Sequence, residues 1–95
     1  MKKDTNVSGK SAVSLKYKKG NDSAPKITAK GKGWVAENII KMAHENNIPI
    51  REDKDLLNLL SEIDVGQEVP ESLYRVVAEL LAWVYQLNQN FQQSK

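Results

Sequence analysis

The amino-acid sequence predicts an α/β fold, in which a small mixed β-sheet of about three strands is packed with three to four helices. Two short segments that alternate apolar and polar residues predict strands, and two longer segments with apolar residues every three or four positions predict helices. The chain has 95 residues, enough for one domain around a single core. We therefore expect a flexible polar tail over residues 1–10, one domain over residues 11–91 and a disordered tail over residues 92–95.

The first two predicted strands form a hairpin. From Ser11 the sequence alternates and places Val13, Leu15 and Tyr17 on one face. Residues 19–23 (KGNDS) are typical of a turn, and residues 25–30 alternate again. The lysines of these segments are predicted to lie on the polar faces of the two strands, where they solvate the sheet and discourage edge-to-edge pairing: Lys16, Lys18, Lys26 and Lys30.

A helical pattern over residues 34–46 follows the hairpin. Its apolar face consists of Val35, Ile39, Met42 and Ala43. Asn46 and Asn47 favour a helix C-terminus, because Asn tolerates the left-handed conformation. The apolar residues 48–50 (IPI) are then predicted to form a third strand, which would complete a strand–helix–strand crossover.

Two further helices are predicted in the C-terminal half. Asp53 or Asp55 can cap a short leucine-rich helix over residues 56–60. Pro70 is placed as the first residue of the last helix, after which the sequence becomes polar (NQNFQQSK). The apolar face of this helix is Leu73, Val76, Val77, Leu80, Leu81, Val84 and Leu87.

Charge is distributed unevenly along the chain. Residues 1–33 contain nine lysines and two aspartates, a net charge of +7, whereas residues 34–95 carry −5, which leaves +2 in total. One interpretation is a basic nucleic-acid-binding module, whose affinity would fall steeply with salt. Only Tyr17 in the basic part and Trp34 directly after it could stack on bases, and no nucleic-acid-binding motif is present. Nucleic acid is therefore the alternative partner rather than the preferred one.

No motif indicates catalysis, a metal site or a cofactor. The chain has no cysteine, and its single histidine, His44, is better explained as a residue of a helix surface. Residues 8–11 (SGKS) are similar to the end of a phosphate-binding loop, but the earlier glycine is absent and a strand follows. We expect a protein that is not an enzyme and binds no small molecule. The sequence shows no signal peptide and no apolar segment long enough to span a bilayer, so we expect a cytoplasmic location.

Four segments together resemble one protein family: AVSLKY (12–17), APKITAKGKG (24–33), IIKMAHENNIPI (39–50) and VGQEVPESLYRVVAELLAWVYQL (65–87). They are similar to the cytoplasmic C-terminal domain of the switch proteins of type III secretion and flagellar export, the FlhB/YscU/EscU family. The resemblance covers residues 11–88. It implies a role in protein transport through a flagellar or type III export apparatus.

Members of that family cut themselves at an Asn-Pro-Thr-His loop just before the strand that corresponds to residues 12–17. There an Asn side chain attacks its own backbone carbonyl and breaks the Asn–Pro bond within a strained turn. The four matching positions in this sequence are Val7, Ser8, Gly9 and Lys10, and none of them matches the motif. We therefore expect no self-cleavage. The family's membrane region and the strand before the motif have no counterpart either, so the resemblance implies a stand-alone relative.

The resemblance also implies a binding surface. Flagellar members have a small apolar patch for export substrates, and the matching positions here are Ala24, Pro25, Ala78 and Leu81. We expect a monomeric protein-interaction domain that docks onto export-gate proteins or a full-length relative, and also onto export substrates. Two departures from the family could change the preference of this patch: Lys54 and Asp55 replace two prolines, and Ser61 replaces a tyrosine.

Overall fold

The structure is a computed structural model that describes the backbone of residues 9–93 and the side chains of residues 9–88. The strands are β1 (Ser11–Lys16) and β2 (Lys26–Lys32). The helices are α1 (Trp34–Glu45), α2 (Lys54–Leu60) and α3 (Tyr74–Gln93), with a short 3-10 helix (Glu71–Leu73) before α3. The predicted α/β fold is confirmed, although the sheet has two strands rather than about three in the described part of the chain.

A bulge interrupts the predicted hairpin. β1 and β2 pair antiparallel, with Ser11 opposite Lys32 and Lys16 opposite Lys26. The register shifts between Ser14 and Leu15, because Thr28 is an extra residue in β2. The hydroxyl groups of Ser14 and Thr28 are hydrogen-bonded at 2.6 Å beside the bulge.

The bulge changes the position of one lysine. Beyond it, Lys30 lies opposite Val13, which packs on the hydrophobic core. Opposed residues of an antiparallel pair lie on the same face, so Lys30 is on the core side of the sheet. Its ammonium group donates hydrogen bonds to the backbone carbonyls of Ser61 and Ile63, both at 2.8 Å. The prediction that Lys30 lies on a polar face is therefore wrong, whereas Lys16 and Lys26 are exposed.

Helix α1 covers the other face of the sheet. A Cβ atom on Gly31 would overlap the side chain of Val35, so the helix packs directly on the backbone of β2. Gly33 precedes α1 with a φ of 59°, a conformation that favours glycine, and its N–H donates to the carbonyl of Lys10 at 3.0 Å. The helix ends as predicted, with Asn47 in the left-handed region at a φ of 57°.

The predicted third strand is wrong. Residues 48–50 belong to no strand, and Ile48 is 56% exposed. Residues 66–69 lie along the outer edge of β2 instead, where the N–H of Ile27 donates to the carbonyl of Gln67 at 3.0 Å. The N–H of Gly66 donates in turn to the carbonyl of Ile27 at 2.7 Å. Because the described strands pair only antiparallel, the predicted strand–helix–strand crossover is absent from this part of the chain.

The two C-terminal helices form where the sequence predicts them. The side chain of Asp53 accepts a hydrogen bond from the N–H of Leu56 at 3.0 Å, so Asp53 caps α2. Pro70 is extended and precedes the 3-10 helix, so it is not the first helical residue that we predicted. Helix α3 continues to Gln93, and residues 92–93, assigned from the sequence to a tail, are helical. Residues 94–95 lie outside the described residues.

The core lies between the sheet and the two C-terminal helices. Its buried members are Ile27, Leu56, Leu60, Val69 and Val77. Partly buried residues pack around them: Val13, Leu15, Ile63, Leu73, Val76, Leu80 and Leu81. Most residues of the predicted apolar faces of the first strand and the last helix thus meet in one cluster, whereas Tyr17, Val84 and Leu87 do not belong to it. No helix within residues 9–93 combines the length and the hydropathy that crossing a membrane requires.

Candidate docking groove

Helix α3 and the connection between β1 and β2 border an open groove of about 600 Å³. One wall consists of residues 17–25 and the other of α3. The lining residues are mostly apolar or aromatic, and Lys19 is the one charged residue among them. The full lining is Tyr17, Lys19, Ser23, Pro25, Tyr74, Val77, Ala78, Leu81, Ala82, Val84, Tyr85 and Asn88.

The helical wall is a regular stripe. Tyr74, Ala78, Leu81, Tyr85 and Asn88 line the groove at alternating spacings of four and three residues. This average period of about 3.5 keeps side chains on one side of a helix, and the stripe extends about 21 Å at about 1.5 Å per residue. The small side chains of Ala78 in this stripe and of Ala82 beside it leave room for a bound chain to approach the helix closely.

Tyrosine side chains border the groove. The chain contains three tyrosines, and all three line this groove: Tyr17 from the β1–β2 connection and Tyr74 and Tyr85 from α3. Tyr85 is 64% exposed, and the other two are also exposed. Tyrosine offers a large apolar surface with a hydroxyl group at its tip, a combination enriched in protein interfaces. The groove therefore has the composition of a protein-binding surface.

The β1–β2 wall is held by hydrogen bonds. The carboxylate of Asp22 accepts from the backbone N–H of Lys18 at 2.7 Å, and the carbonyl of Lys18 accepts from the N–H of Asp22 at 2.9 Å. Gly20 adopts a φ of 92° within this turn. The carbonyl of Pro25 accepts from the N–H of Val69 at 2.8 Å, which fixes the end of the wall to the core. A preformed groove loses less conformational entropy when it binds.

The structure brings three of the four predicted patch residues together. Pro25, Ala78 and Leu81 line the same groove. Ala24 is 3% exposed and is not among the lining residues. The place of the three tyrosines in this groove was not predicted from the sequence. Two of the tyrosines could have been found from their spacing, because Tyr74 and Tyr85 lie on the same side of α3 as Ala78 and Leu81.

The positions that match the family's cleavage loop are only partly described. Gly9 and Lys10 precede β1, and the ammonium group of Lys10 lies 3.5 Å from the carboxylate of Glu37 on α1. Val7 and Ser8 lie outside the described residues. Lys10 therefore links the start of β1 to the start of α1. It does so through this ion pair and through its carbonyl, which accepts a hydrogen bond from the N–H of Gly33.

The other residues considered from the sequence lie apart from the groove lining. His44 is exposed in the last turn of α1, and within residues 9–93 no three His, Cys, Asp or Glu side chains gather as a metal site. Trp34 is 63% exposed at the start of α1. Trp83 is half-buried, and the guanidinium of Arg51 lies 5.6 Å from the centre of its ring.

Comparison with protein families identifies the class to which this fold and groove belong. The family described as "FlhB HrpN YscU SpaS Family" matches residues 8–84, which is most of the chain. The chain belongs to this family, as the resemblance in four segments predicted.

Individual relatives extend the comparison. The chain is 40% identical over 95 residues to uncharacterized protein YlqH of Bacillus subtilis (strain 168), with both chains covered completely. It is 46% identical over 77 residues to flagellar biosynthetic protein FlhB of Escherichia coli (strain K12), a match that covers 80% of this chain and 20% of FlhB. The chain thus corresponds to about a fifth of the length of that FlhB relative.

A solved structure confirms the fold. The crystal structure of the cytoplasmic domain of FlhB from Shewanella putrefaciens superimposes with a TM-score of 0.81 at 35% identity. The match covers 86% of this chain and 68% of that one. The arrangement of the hairpin and the helices is therefore that of the FlhB cytoplasmic domain.

Proposed function

We propose that this chain is a non-catalytic protein-interaction domain of a type III or flagellar protein export apparatus and acts in the cytoplasm. It docks onto export-gate proteins or onto a full-length member of its family, and it contributes a binding surface for export substrates. Family membership over residues 8–84 supports this proposal, as does the similarity to proteins named flagellar biosynthetic protein FlhB.

The groove is the observation that carries the proposal. Pro25, Ala78 and Leu81, which the family resemblance singles out, line one continuous apolar surface between two fixed walls. The lining contains no acidic residue and no histidine, so it lacks the groups that most often transfer protons in catalysis. Its aromatic border and small central side chains suit a polypeptide segment better than a reacting small molecule.

Charged substitutions at the centre of the groove test this proposal. Ala78→Asp and Ala82→Asp place a carboxylate at exposed lining positions, where a bound apolar segment would desolvate it. We expect each variant to bind purified export-gate proteins, or a purified full-length family member, at least about tenfold more weakly, which is about 1.4 kcal/mol. Binding is measured by pull-down and then by titration.

Gln86→Asp is the matched control. Gln86 is exposed on the same helix and does not line the groove, so this variant adds the same charge to α3 outside the proposed surface. Thermal unfolding of all three variants checks that the fold is intact. If the Ala78 and Ala82 variants bound as tightly as Gln86→Asp, the groove would not be the docking surface.

The proposal also includes the absence of self-cleavage. Positions 7–10 carry Val, Ser, Gly and Lys, so no Asn–Pro pair is available at the family's scission point. We expect purified protein to keep one intact mass after prolonged incubation at neutral pH, as measured by mass spectrometry. Two fragments that separate near residue 7 would refute this part of the proposal.

A further inference from the structure

A second surface lies on the opposite side of the hairpin from residues 66–69. β2 has hydrogen-bonding partners along both of its edges, because residues 66–69 pair with its outer edge. β1 pairs only with β2 among the described residues, so its other edge is the open edge of the sheet. An open strand edge presents N–H and C=O groups that an extended chain can pair with.

Positive charge gathers at one end of this edge. Lys16 on β1 lies directly opposite Lys26 on β2, and both side chains are exposed. Like charges in opposed positions of an antiparallel pair repel each other. Exposed Lys18 follows β1 directly. Glu68 lies opposite Lys26 on the other side of β2, and the one ion pair described near this sheet joins Lys10 to Glu37 at the other end of β1. The positive charge at this end of the open edge therefore rests on Lys16 and Lys18.

We propose that the open edge of β1 binds an extended, acidic segment of another polypeptide, which adds to the sheet as a strand beside β1. Strand addition takes its affinity from main-chain hydrogen bonds and its selectivity from side chains. Both faces of the sheet are already covered, one by α1 and the other by the core, so the edge is the side left for pairing. Carboxylates of the added strand can pair with the exposed lysines at the end of β1, Lys16 and Lys18.

Charge selects this occupant over two others. Pairing β1 with β1 of a second copy would bring together two N-terminal segments of +7 each, and this repulsion is strong at low salt. Residues 1–8 of the same chain contain Lys2 and Lys3 against a single acidic residue, Asp4, so they also match the lysines poorly. An acidic strand from a different polypeptide has the complementary sign.

Synthetic peptides test this inference with the full-length protein. The probe is a fluorescent peptide in which valine and glutamate alternate, and binding is measured by anisotropy at low salt. A matched peptide alternates valine and lysine, and a third carries N-methyl groups on alternate amides of the valine–glutamate sequence. We expect the first peptide to bind with protection of residues 11–16 from amide hydrogen exchange, and the other two to bind at least about tenfold more weakly.

Two protein variants test the charge contribution. Lys16→Gln and Lys18→Gln are each expected to weaken binding of the valine–glutamate peptide about two- to fivefold, as exposed ion pairs do. Lys41→Gln, at an exposed position on α1, is the control and should leave the affinity unchanged. The Ala78→Asp variant should also bind this peptide normally, which separates the strand edge from the groove.

Several outcomes would overturn the inference. Equal binding of the N-methylated peptide would indicate a charged contact without strand pairing. Absence of binding would exclude an acidic strand. Protection, in the isolated protein, of the amides of residues 11–16 that point away from β2 would mean that the edge is already occupied, either by residues 1–8 or by a second copy, and sedimentation would distinguish these two cases.

Discussion

Lys30 shows how one inserted residue changes the role of a side chain. The alternation of β2 predicts that Lys30 and Lys26 share a polar face, but the bulge at Thr28 places Lys30 on the core side. There its ammonium group joins β2 to the segment that follows α2, through the carbonyls of Ser61 and Ile63. Carbonyls at a helix C-terminus carry partial negative charge, so a cation is favourable at this position.

We expect Lys30→Met to destabilise the protein by roughly 1–3 kcal/mol, because two partly buried carbonyls lose a charged donor while the side-chain volume is nearly kept. The free energy of unfolding is measured by urea denaturation. Lys32→Met, at an exposed position of the same strand, is the control and should change it by less than about 0.5 kcal/mol. Equal effects of the two substitutions would contradict the structural role of Lys30.

Individual residues could be predicted from the sequence where a local rule applies. Asn47 terminates α1 and Asp53 caps α2 because of properties that each side chain has in any protein. The role of Lys30 could not be predicted, since it depends on a bulge that leaves no mark in the alternation of β2. Tyr17 was predicted to share the face of Val13 and Leu15, but its place in the groove depends on how the β1–β2 connection meets α3.

At the scale of elements, the sequence predicted the hairpin and the three described α-helices, although Val35 and Met42 of the predicted apolar face of α1 are exposed. The predicted third strand was wrong. The apolar residues 48–50 suggested a strand, whereas residues 66–69, which include Gly66 and Gln67, supply the hydrogen bonds. A short apolar segment satisfies the local pattern of a strand without specifying what it pairs with. The segment that pairs with β2 is determined by backbone groups about 40 residues away along the chain, and the local pattern of residues does not identify them.

Helix α2 provides a test at this scale. It has only seven residues, so its stability depends on its cap and on the burial of Leu56 and Leu60. We expect Asp53→Ala to lower the free energy of unfolding by about 1 kcal/mol, because the N–H of Leu56 loses its acceptor. Thermal or urea denaturation measures this loss.

Asp55→Ala is the matched control for that substitution. Asp55 lies in the first turn of α2, where a carboxylate interacts only with the helix dipole, so its loss should cost a few tenths of a kcal/mol. The sequence left Asp53 and Asp55 as alternative caps. A larger loss for Asp55→Ala than for Asp53→Ala would contradict the capping geometry.

At the scale of the whole molecule, two surfaces with different chemistry lie on one small domain. The groove beside α3 is apolar and bordered by tyrosines, and the open edge of β1 ends in exposed lysines. Three of the four positions that the family resemblance singles out line the groove, whereas most of its lining residues, including the three tyrosines, were not predicted. The second surface was not predicted, because the open edge of β1 depends on which segments of the chain pair with the sheet.

Site-specific photo-cross-linking tests the central proposal, docking through the groove, most directly. In one variant, a photoreactive phenylalanine replaces Tyr85 on the border of the groove. In the other, it replaces Glu79, which is exposed on the same helix and does not line the groove. Both variants are expressed in cells that contain an active export apparatus. We predict that the position 85 variant, and not the position 79 variant, cross-links to an identified export-gate protein, a full-length family member or an export substrate. Equal cross-linking from both positions, or none from position 85, would contradict docking through the groove.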